Sequence, residues 1–241
     1  MHTYVQTALE GKRITAVVGH YGSGKTEFSV SLAFALSEQG SMPVSLIDLD
    51  IANPYFRSRE QKEPLEKAGI NVYGSAYGTE ITAELPALDP AARAPLEDAN
   101  KRAIVDVGGD NSGARILNQY GKYFTNGEHE LLCVVNKNRP DTGTIEKAMA
   151  HINAIEKETS IKITGLISNA HFVSFTTAQD VIDGYYFTKE LSEKSGIPVA
   201  AVCAPRKIVN EVEAIRVKEN LDFEIMPVGL YMRPAYLDIS L

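Results

Sequence analysis

Ile14-Thr15-Ala16-Val17-Val18-Gly19-His20-Tyr21-Gly22-Ser23-Gly24-Lys25-Thr26 is the stretch on which the fold turns. Ile14 to Val18 is short, apolar and rich in β-branched residues, which suits a strand buried on both faces of a parallel sheet. The pattern Gly19-x4-Gly24-Lys25-Thr26 then matches a phosphate-binding loop at the place where such a loop works, after a buried strand and at the start of a helix. From Lys25 to Gln39 there is no Pro or Gly, Phe28, Leu32, Ala35 and Leu36 recur at helical spacing, and Gly40 offers a left-handed stop. With average residue usage, a chance match in a chain of this length has a probability on the order of 1%.

Each residue type in the loop has a physical reason. Glycines let successive N–H groups turn inward around an anion, and the helix N-terminus adds partial positive charge. Lys25 is expected to pair with the β- and γ-phosphates, and the Thr26 hydroxyl to ligate Mg²⁺. Gly22, Ser23, Gly24, Lys25, Thr26 and Glu27 form the expected nucleotide-binding run.

Outward from the loop, strands and helices alternate. Val44 to Leu49, Ile70 to Tyr73, Ala103 to Val107, Leu131 to Asn136, Ile163 to Ser168 and Val199 to Cys203 read as strands. Arg57 to Lys67, Thr144 to Lys157 and Ala178 to Lys194 read as helices. Such alternation implies helix-covered parallel pairing, because a parallel crossover needs a dozen or more residues. The expectation is an α/β fold, doubly wound, with a mainly parallel sheet of about seven strands and helices on both faces. A single domain spanning 1–241 is expected, with 74–100 as an insertion or lid and 221–241 as a C-terminal extension.

At 241 residues, 44% of them hydrophobic and 23% charged, the chain can bury a substantial core. Lys+Arg 24 against Asp+Glu 31 gives a net charge of -7, which disfavours nucleic acid and anionic lipid as partners. Cys133 and Cys203 sit inside apolar runs and read as buried small hydrophobes, and the five histidines are scattered. Met1 to Gly11 lacks a signal pattern, and no apolar run approaches the roughly 20 residues that span a bilayer. A cytoplasmic protein without membrane association is therefore expected.

Acidic residues end two further strands. Asp48-Leu49-Asp50 closes one with carboxylates on the same side, since the side-chain period is two. Asp106-Val107-Gly108-Gly109-Asp110 closes another, with glycines that admit a close γ-phosphate. Asp106 is read as the Mg²⁺ partner, Asp48 as able to share that role, and Asp50 as the residue that orients the attacking water. Strand-end aspartates also cap turns and helices, and only the phosphate loop before them favours chemistry.

Together the Gly19-to-Thr26 loop, the Asp48-Leu49-Asp50 strand end and the Asp106-Val107-Gly108-Gly109 turn resemble the MinD/ParA/CobQ-like branch of P-loop proteins, the SIMIBI class, over roughly residues 13–206. The resemblance implies water activation through Asp50 and a nucleotide-sensing turn after Asp106. It also implies base recognition by Asn169 and a covering loop at Ala204-Pro205-Arg206, Asn169 being equally an ordinary turn former. Many members of that branch carry a second lysine where this chain has His20, and a mostly neutral imidazole is no substitute. The homodimer that the resemblance implies is left open by that departure. Arg57 or Arg59 is an alternative source of transition-state charge, although solvated helix-start residues are the slightly preferred reading of both.

Asn136-Lys137-Asn138-Arg139 begins like a guanine-reading motif, but Arg139 cannot accept a hydrogen bond, so ATP is favoured over GTP. Three functions fit: an ATP-driven switch on a partner protein, a transferase or synthetase acting on a small molecule, and a nucleotide-binding module without hydrolysis. The switch is preferred.

Overall fold

The computed structural model describes residues 3–50, 61–74, 90–109, 111–124 and 127–232. In chain order the elements are α1 (Tyr4–Glu10), β1 (Ile14–Val18), α2 (Lys25–Gln39), β2 (Val44–Leu49), α3 (Lys62–Lys67) and β3 (Asn71–Tyr73). They continue with α4 (Ala94–Glu97), β4 (Arg102–Val107), α5 (Asn111–Ala114), β5 (His129–Val135), α6 (Ile145–Thr159) and β6 (Gly165–Ser168). The last four are α7 (Ala178–Ser195), β7 (Val199–Pro205), α8 (Val209–Lys218) and β8 (Ile225–Val228).

The strands make one eight-stranded sheet in the order β3-β2-β4-β1-β5-β6-β7-β8, every neighbouring pair parallel. The fold is the doubly wound α/β architecture, with eight strands in place of about seven. Central strands are buried on both faces, as their unbroken apolar runs require. Ile14, Ala16 and Val18 of β1 join a core with Leu117, Ile152, Ile155 and Leu191. Val17 faces the opposite core with Phe28, Leu32 and Leu36 of α2, so successive residues supply the two layers.

The order of the sheet positions the site. The chain winds from β1 outward to β2 and β3, returns to β4 beside β1, and then continues on the other flank through β5. Beyond the carboxyl end of β1 the connections diverge, which opens the crevice where ligands bind in such sheets.

Several boundaries differ from those expected. The strand expected from Ile163 starts at Gly165, because the Ile163 amide donates to Glu156 Oε1 at 2.9 Å and not to the sheet. α3 starts at Lys62, and the expected 57–60 part of that helix lies outside the described residues, with Arg57 and Arg59. Most of 74–100 is likewise outside them; its last part is a 3-10 turn, Pro90–Arg93, running into α4. The expected extension at 221–241 supplies β8, the last strand of the sheet, which pairs along its length with β7 and meets Thr3 through a single bridge at Ile225; its Pro227 is tolerated because no strand pairs there on the outer side among the described residues.

Phe28 is fully buried beneath the phosphate loop and packs on Tyr4 with ring centroids 6.2 Å apart. Phe28→Ala should therefore lower unfolding stability by about 3–5 kcal/mol. Chemical denaturation should show a reduced midpoint with an unchanged slope.

Candidate functional site

The loop from β1 to α2 turns through left-handed glycines. Gly24, the residue that caps α2, has φ 92, and a Cβ there would overlap Asn169 Nδ2. The same Nδ2 donates to the Ser23 carbonyl at 2.8 Å, and the Asn169 backbone N–H donates to Val135 O at 2.8 Å. Asn169, at the end of β6, thus ties the loop to the neighbouring strands. Arg139, just past β5, adds a second tie, its Nε donating to Gly22 O at 2.7 Å. Ser23 is completely buried, and its Oγ has no hydrogen-bond partner among the described residues.

Lys25 is buried and reaches back along the loop, its Nζ 3.5 Å from the His20 carbonyl. Asp48 and Asp106 are register partners on adjacent strands β2 and β4, and Asp50 follows, all three buried. The Asp50 amide donates to Asp48 Oδ1 at 3.0 Å. Ser29 Oγ donates to Asp106 Oδ1 at 3.4 Å, while Asp106 Oδ2 has no hydrogen-bond partner among the described residues. Burial first, and the Asp48 charge second, push the Asp106 carboxyl up to about 7, with Lys25 and the neighbouring Thr26 hydroxyl pulling the other way.

This donor set fits a hard divalent cation. Buried carboxylates crowd one another, one carboxylate oxygen is orphaned, and a threonine hydroxyl lies beside it. Among the described residues no group of three His, Cys, Asp or Glu could hold a metal alone. Mg²⁺ does not need such a cage, because it keeps water and substrate oxygens in its shell.

The turn after β4 presses on the loop. A Cβ on Gly109 would stand 2.9 Å from Tyr21 N and Cα and 3.0 Å from Lys25 Nζ, and one on Gly108 would stand 3.4 Å from Asp50 Oδ1. Asp110 lies outside the described residues.

On the other flank a largely apolar pocket opens beside Gly24. It is lined by Glu27, Asn169, His171, Val173, Pro205 and Val228–Leu230. Of the expected base-binding residues, Asn169, Pro205 and Glu27 meet here. Arg206 does not line the pocket; it is exposed, with its guanidinium 5.9 Å from the centre of the Tyr231 ring. From the sequence His171 reads only as a local hydrogen-bonding residue near Asn169, and Val173 and the residues after β8 are not singled out as site residues. Val228 and Gly229 carried a faint signal, an apolar run ending in glycine, masked by Pro227. Burial pushes the Glu27 carboxyl up, against the lowering pull of the Met232 and Tyr231 amides.

His20 faces its own chain. Its Nε2 is 3.8 Å from Asp141 Oδ2, and its ring meets His151 edge-on at 5.4 Å. Burial, then His20 and Lys25, lower the His151 pKa to about 4, and burial followed by Arg139 does the same to His171.

A parallel sheet with a strand-loop-helix at its switch point and carboxylates on adjacent strand ends defines the fold of the P-loop nucleoside-triphosphatases. Among solved structures the chain is similar to the signal recognition particle 54 kDa protein from Aeropyrum pernix K1, solved in complex with GDP. That likeness has 25% identity and a TM-score of 0.52 over 87% of this chain and 48% of the other. It is also similar to chloroplast FtsY from Physcomitrella patens, with 19% identity and a TM-score of 0.51 over 78% of this chain and 57% of that one. The chain thus spans about half the length of these proteins. The likeness bears out the fold and does not single out the MinD/ParA/CobQ-like branch. No protein-family model matches the sequence, and no curated protein matches it. No helix among the described residues is long and apolar enough to cross a membrane.

The lowered His151 pKa has a consequence for acid stability. As pH falls from 6.5, the ordinary value, towards about 4, the unfolded chain takes up a proton that the folded chain refuses, so folding stability drops across that window. The loss should reach about 3 kcal/mol at most. In His151→Gln the pH dependence of the denaturation midpoint should be visibly flatter between these values.

Proposed function

We propose that this chain is a Mg²⁺-dependent ATPase that acts as a nucleotide-driven switch on a partner protein. The observation that carries this reading is the Gly109 backbone pressed against Tyr21 and Lys25. A γ-phosphate held by Lys25 would meet that turn directly, so its presence or loss is transmitted to the segment after β4.

In this reading Gly22, Ser23, Gly24, Lys25 and Thr26 cradle the phosphates, and Lys25 stabilises charge on the transferred group. Asp50, beside Gly108, orients the attacking water. Thr26, Asp48 and Asp106 hold the Mg²⁺, which when bound neutralises charge on the phosphates. Glu27, Asn169 and Pro205 shape the nucleoside end, with Arg206 outside it against Tyr231.

ATP is favoured by what the pocket offers. Its one carboxylate, Glu27, accepts from the Tyr231 and Met232 amides through both oxygens, each at 2.8 Å. Guanine presents two adjacent donors that call for a free carboxylate, whereas the Asn169 Oδ1 left by the Ser23 contact suits the single exocyclic amine of adenine. The GDP in the Aeropyrum pernix structure is that protein's ligand.

Exposed Phe172 and Phe175 flank the pocket-lining Val173, and Leu230 is exposed on the opposite wall, which supports a protein partner near the nucleotide. The proposed setting is a single domain in the cytoplasm, related to the MinD/ParA/CobQ-like branch, with a homodimer open and neither nucleic acid nor membrane as partner.

Phosphate release should be slow, selective for Mg²⁺-ATP over Mg²⁺-GTP and independent of any small-molecule acceptor. Lys25→Ala and Asp50→Ala should each lower it by about 100-fold or more. Release that requires an acceptor would replace the switch with a transferase, and faster turnover of GTP would overturn the choice of base.

A further inference from the structure

After β8 the chain passes along the nucleotide pocket. Beyond β8, Gly229–Met232 runs back over the first turns of α2 and is held there by side chains of that helix. Glu27 Oε2 accepts from the Tyr231 N–H and Oε1 from the Met232 N–H, each at 2.8 Å. One turn further along α2, Ser31 Oγ accepts from the Gly229 N–H at 3.0 Å. Three consecutive-region amides of an otherwise irregular segment therefore find their acceptors on one helix face, at positions four apart. The Tyr231 ring stacks on Phe34 of the same helix at 5.0 Å, with Arg206 across it.

Two facts give this strap a role beyond packing. Val228, Gly229 and Leu230 line the pocket together with Asn169, His171, Val173 and Pro205. Glu27, the anchor, is also a lining residue and stands two positions after Lys25, in the first turn of the helix that follows the phosphate loop. One helix turn thus carries the phosphate-facing groups and the acceptors that hold the nucleoside wall.

We infer that Glu27 is a positioning residue for the nucleoside: through the Tyr231 and Met232 amides it fixes the Gly229–Met232 strap as the pocket wall against which the base of a bound nucleotide rests. The inference rests on the nucleotide-binding reading. It assigns Glu27 to the nucleoside and not to the phosphates, although its place in the sequence, beside Lys25 and Thr26, would suggest the phosphates.

The two halves of the ligand can be probed separately. Isothermal titration of the full chain with Mg²⁺-ATP and with Mg²⁺-tripolyphosphate, which has the phosphates and no nucleoside, reports each. Glu27→Ala should weaken ATP binding about tenfold or more, while tripolyphosphate affinity moves by less than about twofold. Glu27→Gln, which keeps one amide acceptor, should fall between wild type and Glu27→Ala for ATP. Ser31→Ala, which releases the strap at Gly229 without touching Glu27, should weaken ATP in the same selective way. Parallel losses for both ligands, or unchanged ATP affinity in Glu27→Ala, would overturn the assignment. A wild type that binds neither ligand, with Lys25→Ala indistinguishable from it, would instead remove the nucleotide reading beneath it.

Discussion

The contact between Asn169 and the backbone at Ser23 and Gly24 is the constraint on which the rest of the arrangement depends. The chain must leave β1, turn through a left-handed residue and enter α2 with its first N–H groups facing outward. Gly24 permits the turn because it lacks a Cβ, and Asn169 Nδ2 fills the space that a Cβ would take, while also satisfying the Ser23 carbonyl. A residue just past β6 therefore specifies the shape of a loop that follows β1, with β5 between the two strands. Arg139, after β5, adds a second tie at Gly22. The loop is thus tied from three strands, and such anchoring favours rigidity, which lets a loop hold donors in place for an anion without reorganising.

That rigidity sets the electrostatics next to it. Lys25 is the basic side chain of the loop, and Asp48, Asp50 and Asp106 crowd the strand ends facing it. Burial foremost, and the Asp48 charge after it, push the Asp106 carboxyl up to about 7. A cluster poised in this way is suited to a cation, since a metal relieves the same repulsion that a proton does. The sequence places these groups only because β2 and β4 are adjacent and in register, although they are far apart along the chain.

How much of this could be read in advance follows from which interactions are local. The phosphate loop, the alternation of strands and helices and the acidic strand ends are written in short windows, since buried parallel strands need continuous apolar runs and loops need glycine. β8 was illegible because Pro227 argues against a strand unless the strand is known to lie at an edge, which is a fact about the whole sheet. α1 leaves no clear signal, because a seven-residue helix with only Tyr4, Val5 and Ala8 buried is too short for its period to stand out. Asn169 was legible as a residue of the site through family resemblance, yet its hold on Ser23 was not. Arg139 entered the reading only as a group unable to accept from guanine, and its bond to Gly22 belongs to the tertiary fold.

The winding of the sheet divides the site by chain order. β4 and β2 on one side of β1 bring the carboxylates, and the ends of β6, β7 and β8 on the other side bring the walls of the apolar pocket. The loop after β1 lies between the two and touches both, through Tyr21 and Lys25 at Gly109 and through Gly24 at Asn169. A nucleotide is likewise a charged end joined to a flat, weakly polar end, so a bound one would span the two halves of the sheet with the loop beneath its phosphates. Its charged end alone would press the turn after β4, and its nucleoside alone would seat against the strap after β8. In the proposed reading, binding energy gathered on the second half would hold the phosphates where the turn after β4 can respond to them.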